Sequence, residues 1–304
     1  MSQPIRHTNT TTRTQGPPPR LEGPAVAPLT DADEAEVRAF LRRGTVDTIM
    51  MTGLIADNGL ESPFNRGTFY AARDGGGQLI GVALIGHATL VETESEAALA
   101  AFARLAQGYT QAHVVAGLPD KVERFWWHYG AGGQPARLIC RELLLEQRWP
   151  VAALAPVPAL RRATLDDLPA VMGVNARLAF AESGVNPLEQ DADGFRLRLA
   201  RRIDQGRVWV WSERERLMFK ADVLAETPET FYLEGVYVHP DERGKGYGSR
   251  CMSQLGRELL RETKSLCLLV NEQNKDAQRF FFHNGYKLRD CYDTIFLKAV
   301  TSDE

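Results

Sequence analysis

Six residues near the C-terminal end, Arg243-Gly244-Lys245-Gly246-Tyr247-Gly248, set two cations among three glycines at a spacing suited to anion binding. They follow a stretch that reads as a strand, Phe231–Val238, and a turn at Pro240-Asp241. They open a helix, continuing through Ser249, whose apolar stripe is Cys251, Leu255 and Leu259. Strand, glycine turn and helix N-terminus in that order make an anion cradle. The first-turn N–H groups lack partners, the helix dipole favours negative charge, and glycine lets a phosphate approach the backbone. A Walker loop would need Ser or Thr after Gly244-Lys245, where this chain has Gly246. A dinucleotide fold would place its glycines early, ahead of further parallel strands, and little chain follows here.

The strand before the cradle carries the second chemical candidate. Alternation at period two puts Tyr232, Glu234, Val236 and Val238 on one side and Phe231, Leu233, Gly235 and Tyr237 on the other. A carboxylate among valines is costly to bury unless it is paired or used, and burial would raise its pKa toward the range of a general base. Glu234 is therefore the expected base, with Glu272 in reserve. His239 and His283 read as surface residues.

The rest of the chain must position these groups. Its 304 residues suffice for two domains; 44% hydrophobic and 25% charged residues are ordinary globular values. A net charge of −3 gives no case for nucleic acid or a membrane surface as partner. Cys140, Cys251, Cys267 and Cys291 form no C-x-x-C pair, so neither a metal site nor a disulfide framework is expected. No apolar run reaches membrane-spanning length and no hydrophobic signal core opens the chain, so a reduced, cytoplasmic protein is expected.

Residues 1–24 are Thr, Gln, Pro and Gly with little apolar content and read as a flexible tail. Residues 25–148 read as a first α/β unit: a helix from Thr30 or Asp31 to about Arg43, strands over 67–73 and 78–87 around Asp74-Gly75-Gly76-Gly77, a helix capped by Ser95, a strand over 113–117, a helix over 121–129, and a closing strand over 138–146. Residues 149–158, with Pro150, Pro156 and Pro158, read as a linker. Residues 159–300 repeat the order: a strand over 159–163, helices over 165–180 and 193–205, strands over 208–212 and 219–225, the cradle, a strand over 265–270, a helix from Asn274 and a final strand over 294–298. The repeat is visible in residues too. Arg124-Phe125-Trp126-Trp127-His128-Tyr129-Gly130 aligns with Arg279-Phe280-Phe281-Phe282-His283-Asn284-Gly285 at an offset of 155. At that offset the first copy offers Ala88-Thr89-Leu90-Val91 in place of the cradle, with no glycine and no base.

Arg-x-x-Gly-x-Gly directly after a strand resembles the pyrophosphate loop of the GNAT superfamily of acyl-CoA N-acetyltransferases. Downstream, Asn274, Ala277, Phe280-Phe281 and Gly285-Tyr286 stand where that family has its second motif, and the resemblance covers about 140 residues. It implies a mixed α/β (α+β) sheet in two tandem GNAT-like domains, the second complete and the first degenerate. It further implies acetyl-CoA as acyl donor, splayed between the fourth and fifth strands of the second unit. Arg243 to Ser249 would take the pyrophosphate, Val236, Tyr237 and Val238 would offer main-chain hydrogen bonds to the pantetheine arm and the thioester carbonyl, Asn274 would hydrogen-bond near the arm or steady the fifth strand, and Phe281 would be a cofactor-binding residue. Many members carry a tyrosine acid where this chain has Phe281, so Tyr286, Tyr237 or water would protonate the thiolate. The acceptor would be an amine, of a small molecule or a protein, near a loop over 177–195 that carries Glu182, Glu189, Asp191 and Asp193. The first unit would shape the acceptor cleft or a homodimer interface. The expected function is N-acetyl transfer in a ternary complex; the alternative is an acyl-CoA-binding regulatory sensor without turnover.

Overall fold

The computed structural model describes residues 23–44, 46–149, 153–214 and 216–299. The tail expected over 1–24 lies outside them except for Gly23 and Pro24. The N-terminal half runs β1 (Ala25–Pro28), α1 (Glu34–Leu41), α2 (Ile49–Asn58), β2 (Gly67–Arg73), β3 (Leu79–Gly86), β4 (Ala88–Thr93), α3 (Glu96–Gln107), β5 (Val114–Gly117), α4 (Pro119–Tyr129) and β6 (Ala136–Gln147). The C-terminal half repeats the order: β7 (Arg161–Arg162), α5 (Leu168–Ser183), a short α6 (Pro187–Gln190), α7 (Ala192–Asp204), β8 (Val208–Glu213), β9 (Arg216–Glu226), β10 (Phe231–Val238), α8 (Tyr247–Leu259), β11 (Leu266–Asn271), α9 (Lys275–His283) and β12 (Lys287–Leu297).

The two halves begin alike because their sequences cap alike. Asp33 Oδ2 accepts from the Thr30 N–H (2.9 Å) and Asp167 Oδ2 from the Thr164 N–H (2.8 Å), so each half enters its first helix through the same Thr-x-x-Asp turn. Ser95 caps α3 as expected, its Oγ accepting from the Ala98 N–H. Helix α2 was not expected. Ile49, Met50, Met51, Leu54 and Ile55 make it apolar nearly all round, so no amphipathic stripe announces it.

All twelve strands form one sheet in the order β1-β2-β3-β4-β5-β12-β6-β11-β10-β9-β8-β7. The two parallel contacts are β4 with β5 and β10 with β11. The strand expected to close each unit instead crosses to the other. β12 inserts between β5 and β6, and β6 lies against β11 through six residue pairs, Leu266 with Gln147 to Asn271 with Glu142. Helices α3, α4, α8 and α9 cover one face; α1, α2, α5 and α7 cover the other. At the seam Val46, Ile49, Leu144, Ala225, Tyr232, Cys267 and Tyr292 pack as one cluster drawn from both halves. Arg207 adds a bidentate ion pair to Asp57 at the end of α2. Part of the linker expected over 149–158, residues 150–152, lies outside the described residues, and the rest is tied down: Arg250 donates to the carbonyls of Ala155 (2.8 Å) and Pro156 (2.6 Å), and Gln254 Oε1 accepts from the Val157 N–H.

Near the seam, the rings of His87 and His113 stack 4.9 Å apart, with His113 edge-on to Phe296 of β12. Burial first, then Arg66 and His113, holds His87 down at about 3; burial and then Arg137 lower His113. Both rings fold neutral, while the unfolded chain takes up protons near 6.5, so acid favours unfolding from about 6.5 down toward 3. The urea midpoint should fall between pH 7 and pH 5, and His87→Gln should flatten that slope. An equal slope in the variant would remove His87 as its source.

Candidate active site

The site is built on an irregularity in β10. Residues Leu233 and Glu234 pair with Val223 and Asp222 of β9, then the register slips and pairing resumes at Tyr237 with Lys220. Gly235 takes the slip at φ +58, a left-handed conformation that favours glycine. The bulge inverts the expected alternation. Phe231, Leu233, Val236 and Val238 face α8 and α9, whereas Tyr232, Glu234 and Tyr237 face α5, α7 and the seam. Glu234 therefore does not share a face with Val236 and Val238, and its side chain is 46% exposed rather than buried.

Lys220 sits beneath the bulge with no exposed surface. Its ammonium donates to the Gly235 carbonyl at 2.8 Å and lies 2.9 Å from Asp222 Oδ1. Burial pushes the Lys220 pKa down, against the pull of Asp222. Asp222 also accepts from Asn175 (3.0 Å) and from Arg202 (3.3 Å), and Arg202 reaches Glu234 at 3.8 Å. Sequence reading missed this network, since a Lys and an Asp on a strand give no signal until the fold buries them.

Around the network lies a cavity of about 190 Å³ lined by Leu178, Glu182, Phe195, Arg198, Arg202 and Glu234, among others. Glu182 stands at its lip. Burial, then Glu234 and Glu142, pushes the Glu182 carboxyl up to about 8. Its side chain is exposed to solvent, so screening limits the size of the shift and only its upward direction stands. Glu142, brought in by β6 from the N-terminal half, is buried, accepts from Thr294 Oγ1 at 2.6 Å, and is also raised by burial.

On the other side of the bulge β10 and β11 separate. They pair only at Phe231 with Leu266 and Tyr232 with Cys267. The wedge beyond leads to the turn before α8. Gly246, at φ +80, caps α8 without a side-chain hydrogen bond, so the first N–H groups are open to an anion. Arg243 Nε donates to the Val238 carbonyl (3.1 Å), and Lys245 pairs with Glu242 (3.1 Å). Tyr247 packs on Trp211, and Ser249 Oγ accepts from Asn284. A Cβ on Gly248 would lie 2.9 Å from a Val238 methyl, whereas Gly244 and Gly246 face open space. The equivalent connection in the N-terminal half is Glu94-Ser95, not the 88–91 stretch expected at the 155 offset, which is β4 itself. There Ser95 caps the helix, and Lys121 closes over Glu92 (2.7 Å) and Glu94 (3.2 Å).

Other expected residues have different surroundings. Tyr286 does not line the cavity; its ring packs against Phe281 at 5.5 Å, its hydroxyl is enclosed without a partner, and burial pushes its pKa strongly up. Phe281 is buried in the same core. Tyr237 packs with the α5–α7 cluster and edge-on to His239. Asn274 Oδ1 caps α9 by accepting from the Ala277 N–H (3.1 Å). His239 accepts from the Asp241 N–H and meets Arg216. Glu272 is exposed beyond β11 and is not among the cavity's lining residues.

This strand, wedge and uncapped helix are matched by a known family. Residues 204–288 fit the family model described as an acetyltransferase (GNAT) domain. The chain carries a GNAT acetyltransferase domain. No curated protein matches the chain. Among solved structures, the fold is similar to a GNAT-family acetyltransferase from Colwellia psychrerythraea (TM-score 0.59, 11% identity, 90% of this chain and 100% of that one). It is also similar to a Drosophila protein (TM-score 0.67, 13% identity, 92% and 100%). A tandem GNAT protein from the clavulanic acid biosynthesis pathway gives a TM-score of 0.58 at 13% identity, again over 92% and 100%. What is shared at these identities is the fold, and it extends over both halves. The GNAT match begins at the end of α7, so Glu182 lies outside it. Among the described residues no group of three or more His, Cys, Asp or Glu could hold a metal ion, and no helix is long and apolar enough to cross a membrane.

Lys220→Met should strand Asp222 in the core and free the Gly235 carbonyl, with a loss of about 3–5 kcal/mol in unfolding free energy. Urea denaturation measures it, and adding Asp222→Asn should recover part of the loss. A loss below about 1 kcal/mol would mean that water reaches the pair.

Proposed function

We propose that the GNAT domain transfers an acetyl group from acetyl-CoA directly to a primary amine, both held together on β10. The observation that carries this reading is that one strand joins two complementary ends. β10 runs from a carboxylate-lined cavity at Glu234 to the uncapped, glycine-flanked N-terminus of α8. The residues present suit the coenzyme: open space at Gly244 and Gly246 admits a diphosphate, and the β10–β11 wedge leaves room for an extended arm.

In this reading the N–H groups of Arg243 to Ser249 grip the diphosphate, with Arg243 and Lys245 swinging from their present partners to add charge. Main-chain groups of Val236, Tyr237 and Val238 line the arm, and an N–H near Tyr237 or Val238 polarises the acyl carbonyl. Bound acetyl-CoA supplies the activated acyl group. Asn274 acts through the fold by capping α9 beside β11. Glu234 and its neighbours attract the acceptor's ammonium, and a cavity of about 190 Å³ suits a small amine or the end of a protein side chain. With Phe281 and Tyr286 sealed in the core, solvent rather than a tyrosine returns a proton to the departing thiolate. The N-terminal half, closed at its own wedge by Lys121, is a degenerate copy that walls the acceptor side through β6. On this view residues 25–148 and 159–300 are tandem domains of one fold.

CoA release from acetyl-CoA should appear with at least one member of a broad panel of primary amines. Gly246→Asp meets open space and costs only the strain of a left-handed residue, about 1–2 kcal/mol, so the protein should stay folded. Its charge should repel the diphosphate and raise the Kd for acetyl-CoA about tenfold or more. Unchanged affinity overturns the cradle. Tight binding with no release across the panel points to a sensor instead.

A further inference from the structure

The cavity beside the bulge carries an unused acceptor and unused cationic donors. Asn175 of α5 lines it, as do Arg198 and Arg202 of α7 and Glu234 of β10, with Leu178 and Phe195 as apolar walls. The Asn175 amide has a fixed orientation. Its Nδ2 donates to Asp222 Oδ2 at 3.0 Å, and a flipped amide would set oxygen against that carboxylate. Its Oδ1 is enclosed and has no hydrogen-bond partner among the described residues. A Cβ at position 235 would stand 3.5 Å from that oxygen, and glycine there leaves it uncovered. An enclosed acceptor on a cavity wall with no donor is prepared for a donor that the chain does not supply.

The two cavity arginines differ from those that hold the fold together. Arg73 with Glu36, Arg141 with Asp293, Arg161 with Asp167 and Arg207 with Asp57 each grip a carboxylate with two nitrogens. Arg198 gives only Nη1 to Asp191 (3.1 Å), and Arg202 only Nη1 to Asp222 (3.3 Å) and Glu234 (3.8 Å). The Nε and Nη2 groups of both have no partner among the described residues. The two side chains are one helical turn apart, about 6 Å along α7, so their open donors border one space.

We propose that the acceptor is a free amino acid. Its ammonium sits at Asn175 Oδ1 and Glu234, its carboxylate on the open donors of Arg198 and Arg202, and its side chain against Leu178 and Phe195. The proposal rests on the amine-acetylation reading and narrows it. A polyamine or a lysine within a protein offers the ammonium but no carboxylate for the arginines, whereas a planar carboxylate matches a guanidinium fork. A cavity of about 190 Å³ holds a molecule of that size.

The test compares CoA release from acetyl-CoA with amino acids, their carboxamides, the corresponding amines without a carboxyl group, and a lysine peptide blocked at both ends. For at least one amino acid, kcat/KM should exceed that of its carboxamide about 10²-fold or more. Arg198 has a side chain 30% exposed, so its variants should fold. Arg198→Gln should shrink the acid-over-carboxamide ratio about tenfold by raising KM for the acid, and Arg198→Lys should recover part of it, with the Kd for acetyl-CoA unmoved. Asn175→Leu should raise KM for acid and carboxamide alike, because both present the same ammonium. An amino acid and its carboxamide used equally well, a ratio unmoved in Arg198→Gln, or the blocked peptide preferred to every amino acid overturns the proposal and leaves the acetylation reading standing. A protein that acetylates no amine overturns both.

Discussion

An ammonium group with no access to water holds one backbone carbonyl in place. The Lys220 bond to Gly235 fixes the bulge of β10, and the bulge separates what regular alternation would have merged. Val236 and Val238 turn to the α8–α9 core, and Glu234 turns to the cavity. It also keeps β10 apart from β11 after two residue pairs. Burying Lys220 and Asp222 together is costly in desolvation, and the structure offsets the cost with Asn175, Arg202 and the Gly235 carbonyl as further partners. Such an expense in a core is easier to understand as positioning than as stability.

The second organising feature is the exchange of closing strands. Because β6 lies beside β11, the wall opposite β10 comes from the N-terminal half. Glu142 reaches the carboxylate group this way, and the seam cluster of Tyr232, Cys267, Leu144 and Tyr292 packs behind it. The stretch that matches the GNAT model is therefore continuous in sequence but walled in space by a strand from outside it. The sheet around β11 is assembled from both halves, which gives a half without an open cradle of its own a structural reason to be present.

Much of this was legible in the chain. The Gly244–Gly248 turn, α8 with its stripe of Cys251, Leu255 and Leu259, and the Arg124 and Arg279 repeat all announce themselves through local spacing. What escaped is what local spacing cannot hold. The Gly235 bulge broke a period-two reading of β10, because one inserted residue reverses every later side chain. Helix α2 escaped because it is apolar on nearly every side, buried between its own half and β9. The crossing of β6 and β12 follows from pairing partners more than a hundred residues apart, and each strand reads identically whichever neighbour it takes. Glu182 was visible as one acid in a loop rich in them. Only the fold distinguishes it from Asp191, which caps α7 and pairs with Arg198.

The place of β12 bears on how the chain comes to be made. When β6 leaves the ribosome, the N-terminal half has its helices and five of its strands, but the edge of β5 stays vacant until Thr294 to Phe296 arrive. The nascent protein must carry two unsatisfied strand edges, on β5 and β6, through the synthesis of some 150 further residues. Closure is deferred until β12 is translated, and a chain cut short before residue 287 is left with a sheet open at its centre.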